Sequence, residues 1–265
     1  MINLFGTHMH TLTMQETVST INKRINNKIF TQHVVVNVAK IVNMQRDAVL
    51  RESVNSSDII NIDGMGLLWG ARLFSKEVTE RVSGIDLFYE LLKSAQQTGK
   101  RVFLLGATPK VLGKTLINLK KQYPHLNITG VQHGYFQENE EAEIAQRIHD
   151  SGAELLFVAM SSPKKENFIN RWKNHFGVSF VMGVGGTFDI VAGKTQRAPV
   201  WMQKAGLEWF YRVMQEPTRL WKRYLYTNSK FAWMLLRGGF DRQFRIHGSR
   251  RIKRRHLSQI KGNSE

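Results

Sequence analysis

Residues 102–131 read VFLLGATPKVLGKTLINLKKQYPHLNITGV. Val102–Leu105 is a short run of consecutive apolar residues, the pattern of a strand buried on both faces. Gly106-Ala-Thr-Pro109 interrupts it, and residues 109–122 then read as a helix. Ile128–Val131 is a second apolar, branched run. Strand, helix and strand in this order make a βαβ unit, whose two strands run parallel.

The same alternation extends in both directions. Further predicted strands are His33–Val36, Ile59–Ile62, Leu155–Ala159 and Val178–Met182. Helical patterns lie near 38–51, 84–98, 139–151 and 163–175. Gly99 and Gly152 stand where helix C-caps belong. The predicted fold is α/β: a Rossmann-like parallel sheet with helices on both faces, over residues 1–197. Beyond it the pattern changes. Helices are predicted over 199–215 and 217–236, with Pro217 in a first turn, and no strand follows. Residues 198–265 therefore read as a helical, basic, aromatic-rich appendage, fraying after about residue 237.

Composition narrows the classes. The chain has 265 residues, 42% hydrophobic and 22% charged, which is globular rather than disordered. It has no cysteine, so disulfides and cysteine-ligated zinc are excluded, in keeping with a reducing cytoplasm. The first residues lack the basic segment and long apolar run of a secretory signal. No stretch approaches the roughly 20 apolar residues of a membrane span. The formal net charge is +17 and is uneven. Residues 197–265 hold 16 Lys and Arg against 4 Asp and Glu, and residues 1–196 hold 22 against 17. Such a tail seeks phosphate, of nucleic acid or of anionic lipid.

In a parallel α/β sheet, ligands bind beyond the carboxyl ends of the strands. Asp63-Gly64-Met65-Gly66 occupies one such end. Asp63 is a candidate general base, with Gly64 leaving room for a substrate hydroxyl; the alternative is a cap of the next helix. Gly106 and Thr108 lie at a strand–turn–helix junction that suits phosphate, or is an ordinary tight turn. In Ser162-Pro163-Lys164-Lys165-Glu166 a helix is predicted to start, with Ser162 as cap and Pro163 first. Lys164 and Lys165 in its first turn oppose the helix dipole unless an anion is near. Gly185 and Gly186 let a ligand approach the backbone. Asp189 after them either binds a sugar hydroxyl or accepts from local backbone. The histidines form no metal-binding spacing, so no metal and no cofactor are expected. Trp209-Phe-Tyr-Arg212 and Arg219-Leu-Trp-Lys-Arg-Tyr224 interleave aromatic and basic residues. That pattern fits a membrane interface, nucleic-acid stacking, or a plain core helix with a solvated face.

Over about residues 30–225 the chain resembles the WecG/TagA/CpsF glycosyltransferases, glycosyltransferase family 26. The motifs run in order: Asp63-Gly-Met-Gly66, Arg81-Val-Ser-Gly-Ile-Asp86, Tyr123-Pro124, His133-Gly-Tyr-Phe136, Pro163-Lys164 with Glu166, Gly183-Val-Gly-Gly-Thr-Phe-Asp189, Arg197-Ala-Pro199, Gly206-Leu-Glu-Trp209 and Glu216-Pro217. The resemblance implies an inverting transferase that moves an N-acetylmannosamine-type sugar from a UDP donor. Its acceptor would be N-acetylglucosamine on undecaprenyl diphosphate, in bacterial surface-polysaccharide synthesis. It implies a peripheral protein on the inner face of the cell membrane, bound to anionic lipid and not to nucleic acid, with self-association left open.

By the same resemblance Asp63 matches the general base, Arg81 an arginine near the catalytic pocket, and Asn37 the asparagine after the first core strand. Arg212, Arg219 and Arg223 match phosphate-binding arginines of the appendage. Three positions depart from the family pattern. Val35 replaces threonine, Ser161-Ser162 stands where glycine precedes the Pro-Lys pair, and Lys165 replaces glutamine. Those changes bear on the donor sugar and leave a non-catalytic scaffold as a rival reading.

Overall fold

The computed structural model describes residues 1–74, 78 and 80–240, with Phe74, Arg219 and residues 238–240 described by backbone alone. The basic run at 250–255 lies outside the described residues. The chain opens with a hairpin, β1 (Ile2–Leu4) and β2 (Thr7–Met9), and a helix, α1 (Met14–Asn26). There follow β3 (Thr31–Val36), α2 (Val38–Met44), α3 (Ala48–Asn55), β4 (Ile59–Ile62), α4 (Met65–Phe74), α5 (Gly84–Thr98) and β5 (Arg101–Gly106). Next come α6 (Pro109–Gln122), β6 (Asn127–Gln132), α7 (Glu141–Asp150), β7 (Leu155–Ala159), α8 (Lys164–Trp172), β8 (Phe180–Gly183) and α9 (Thr187–Val191). The chain continues through α10 (Val200–Lys204), α11 (Glu208–Gln215) and α12 (Pro217–Phe240).

Strands β3 to β8 form one parallel sheet in the order β4-β3-β8-β7-β5-β6. This is the predicted α/β architecture. Alternate residues of each strand feed opposite faces, as the pleat requires. Val102 and Leu104 of β5 join α1, α5, α6 and α9 in one core cluster. Phe103 and Leu105 join α7 and α8 on the other side. The β3–β4 end is covered by the hairpin, α2, α3 and α4.

Helix α12 belongs to that end too. Its Phe231 and Met234 are buried among Ile41, Leu67 and Ala71. Burying a large apolar side chain contributes roughly 1.5–3 kcal/mol, so two such anchors hold the helix firmly. Gly70 permits the approach, since a Cβ there would lie 2.8 Å from the Phe231 ring.

Several expectations are refined. The helix predicted over 38–51 is two, because the chain turns after Met44 and Asp47 caps α3 by accepting from the Leu50 N–H at 2.8 Å. The 199–215 helix breaks at Gly206, whose φ is +75°. Helix α8 starts at Lys164 with Pro163 as N-cap, one residue later than predicted, and Ser162-Pro163 is a cis bond. Gly99 and Gly152 are both left-handed after their helices, as predicted. Helices α1, α4 and α9 and the hairpin went unpredicted. Among the described residues no helix is long and apolar enough to cross a membrane.

Candidate active site

Asp63 follows β4 directly. Its N–H donates to Val36 O at 2.8 Å, extending the β3–β4 ladder by one step, so Asp63 stands level with Asn37 at the carboxyl edge. Its Oδ2 accepts from the Gly84 N–H at 3.3 Å, at the first residue of α5. Its Oδ1 is 3.9 Å from Arg81 Nη1. Arg81 is closer to another carboxylate: the same nitrogen donates to Glu208 Oε2 at 3.0 Å. Glu208 Oε1 accepts in turn from Arg212 Nη2 at 3.4 Å, one helical turn along α11. The row Asp63, Arg81, Glu208, Arg212 therefore alternates in sign.

Burial raises the Asp63 pKa above the ordinary carboxylate value, and the Glu208 charge adds to the effect. Arg81, the Gly84 N–H and Arg212 pull it back without cancelling it. A carboxylate raised in this way is a better proton acceptor in its ionised form. Beside it Arg197 grips Asp86 on α5 with both terminal nitrogens. Burial pushes Asp86 up, but those bonds and the Arg197 charge hold it below the usual range.

A second charged group lies across β3 and β8. Lys40 and Lys165 both bond Glu166 Oε1, at 2.8 and 2.5 Å, and all three are buried. Lys40 Nζ also donates to Val35 O at 2.8 Å. Burial, then the Lys40 charge, depress Lys165 to about 8 against the pull of Glu166. Burial would raise Glu166, but Lys40 and Lys165 bring it to about 2. Two buried cations share one carboxylate here, which leaves a net positive charge. The side chain of Lys165 runs along Gly183 at the end of β8, where a Cβ would meet its Cε at 2.9 Å. Arg223, on the surface of α12, is near enough to lower Lys165 further.

The remaining predicted residues are placed as follows. Asn37 Oδ1 caps α2, accepting from the Lys40 N–H at 3.0 Å. Thr108 caps α6 through the Val111 N–H at 3.2 Å. Gly106 has φ +127°, and a Cβ there would fall 2.3 Å from Ala159 O, so only glycine fits this turn. Gly64 and Gly185 are also left-handed, and Gly186 caps α9. Lys164 is turned away, donating to Phe136 O at 2.7 Å with its ammonium over the Phe136 ring. Asp189 pairs with Lys194 at 2.9 Å, and its carbonyl accepts from the Lys194 and Thr195 N–H groups. The side chain of Arg219 lies outside the described residues. Val35 lines the floor beside Asp63: a Cβ on Gly84 would touch both, at 3.3 and 3.6 Å.

Asp63, Arg81 and Arg212 thus come together, as do Lys165 and Glu166. Glu208 and Lys40 escaped the sequence reading. The Glu208–Arg212 spacing of one helical turn was a usable signal for the first. Nothing local marks Lys40 as buried. Among the described residues, no three His, Cys, Asp or Glu side chains gather to hold a metal.

The site can therefore accept a proton at Asp63, with the Arg81 guanidinium 3.9 Å from that carboxylate. A sequence model of the Glycosyl transferase WecG/TagA/CpsF family matches residues 2–245, nearly the whole chain.

Proposed function

The chain belongs to the WecG/TagA/CpsF glycosyltransferase family, and from that premise we propose an inverting, single-displacement transfer with Asp63 as general base. The donor in this reading is a UDP-activated N-acetylmannosamine-type sugar, and the acceptor is N-acetylglucosamine on undecaprenyl diphosphate. Asp63 takes the acceptor hydroxyl proton as that oxygen attacks the anomeric carbon. The bond from that carbon to the UDP oxygen breaks on the opposite face. Charge then grows on the leaving diphosphate, where fixed cations are worth most. Arg81 and Arg212, with Arg223 and the Lys165 group beyond them, supply that charge in this scheme without a metal.

The observation that supports the base role is the raised basicity of Asp63 at a strand carboxyl end, within 3.9 Å of Arg81. A lipid-linked acceptor also requires the enzyme to reach a membrane. Helices α11 and α12 turn Trp209, Phe210, Trp221, Leu225 and Trp233 outward. Lys222, Lys230 and Arg237 lie over the Trp221 and Trp233 rings. Tryptophan with cations on one helix surface suits anionic headgroups. A peripheral position on the inner face of the cell membrane is part of this proposal, and these outward rings and cations support contact with an anionic surface.

Incubation with lipid-linked N-acetylglucosamine and a panel of UDP-sugars, read by mass spectrometry, tests the proposal. A mass increase of one N-acetylhexosamine is expected. No product with any sugar of the panel would overturn the transfer reading.

A further inference from the structure

We propose that Glu208 is a positioning residue through which helix α11 completes the site, pinning Arg81 and Arg212 in one ion cluster beside Asp63. The kinetic part of this inference rests on the transfer reading above; the electrostatic part does not.

Three observations carry it. Glu208 is the first residue of α11, yet its side chain is turned inward and is only 17% exposed. It is the nearer of two carboxylates to Arg81, 3.0 Å against 3.9 Å for Asp63. Its other oxygen takes Arg212, so one side chain restrains two guanidinium groups from different parts of the chain. The start of α11 is itself clamped. Gly206, two residues earlier, lies so close to Met65 and Trp69 of α4 that a Cβ there would be 2.8 Å from each. Helix α4 is the one that follows Asp63, so α11 and the carboxylate are referenced to the same element.

The consequence is electrostatic. A guanidinium drawn fully onto Asp63 would make it a weak base. By taking Arg81 first, Glu208 keeps that cation near without a tight pair, and adds a repelling charge of its own. The charged groups facing Asp63 are Arg81 from the segment before α5, Arg197 from the segment before α10, and Glu208 and Arg212 from α11. Glu208 is the one anion among them.

The test uses the full chain with ¹³C-carboxyl-labelled aspartate, followed by NMR as pH is varied. Asp63→Asn identifies the Asp63 signal. Glu208→Gln, which keeps shape and removes charge, is expected to move the Asp63 midpoint down. Arg212→Gln is expected to move it up. A residue with a merely structural role would shift both variants the same way or neither, and either result overturns the inference. Should Glu208→Gln fail to fold, Arg212→Gln decides alone, and an unmoved midpoint overturns it. In the transfer assay Glu208→Gln should lower kcat on the order of 10-fold with little change in donor KM, and Glu208→Asp should recover part of the loss. Split midpoints without transfer by the wild type would sink the transfer reading and leave the positioning role standing. Active enzyme with unsplit midpoints would do the reverse.

Discussion

Arg197 donates to Asp86 from both terminal guanidinium nitrogens, at 2.5 and 2.7 Å, and this fork ties the chain after α9 to the first turn of α5. It joins α5 to the segment that leads to α11, the helix that carries Glu208 and Arg212. Lysine is a point charge and cannot reproduce a planar fork. The Asp86 side chain is 41% exposed, so solvent screens the pair. Arg197→Lys should therefore cost only about 1 kcal/mol, a fall of roughly 2–4 °C in Tm for a chain of this size. Differential scanning calorimetry reads it; an unchanged Tm would show that the fork holds nothing together.

Asp63→Asn should separate folding from chemistry. The folded state raises this carboxyl's pKa, so its ionised form is disfavoured there and weakens the fold at neutral pH. Removing the charge should leave thermal stability equal or higher. Transfer should drop on the order of 10²-fold or more. In the wild type, kcat/KM should fall as pH drops through the raised Asp63 value, above the ordinary range for aspartate. Near-normal transfer by the variant would remove Asp63 from the base role.

Acid should destabilise the protein through His33. It is buried in β3 with Nε2 2.9 Å from Asn61 Oδ1. Burial lowers its pKa to about 4, against a smaller opposing pull from Asn61. The folded state thus favours the neutral ring, and the stability this confers is present above about 6.5 and lost as pH falls towards 4. The loss amounts to about 3 kcal/mol across that interval. Urea unfolding at a series of pH values should show it, and His33→Gln should flatten that slope.

Membrane adsorption should depend on the outward rings of α12. Trp221 and Trp233 are each 48% exposed and are not among the buried core residues. Deleting the helix would be a poor test, because Phe231 and Met234 are part of the core. Trp221→Ser with Trp233→Ser should keep the melting temperature and weaken co-sedimentation with anionic vesicles. The helix cations should remain responsible for the salt dependence, at about 1 kcal/mol for each residue near the surface. Full retention on vesicles by the double variant would show that this face is not the contact.

The parallel sheet was readable along the chain because the inner strands carry runs of consecutive apolar residues, Val34–Val36, Val102–Leu105, Leu155–Ala159 and Phe180–Met182, a local pattern. Helix α1 was missed although Thr13 and Glu16 form a capping box, since its apolar stripe of Met14, Val18, Ile21 and Ile25 is narrow in an otherwise polar segment. Helix α4 was missed because Met65–Phe74 is apolar nearly all round, and neither period stands out. In the candidate site, the place of Asp63 at a strand end was legible from the apolar run before it and Gly64 after it. Lys164 and Lys165 looked alike as neighbours, yet one lies over Phe136 and the other is buried against Glu166.

Chain order alone determined the class of sheet, the place of Asp63 at its carboxyl edge and the family, since strand composition and βα turns depend on near neighbours. Tertiary packing alone decided that Glu208 meets Arg81, 127 positions earlier in the chain, and that α12 sinks Phe231 into the core while its other side stays bare. Such pairings join residues remote in sequence, and no local pattern encodes which faces will meet.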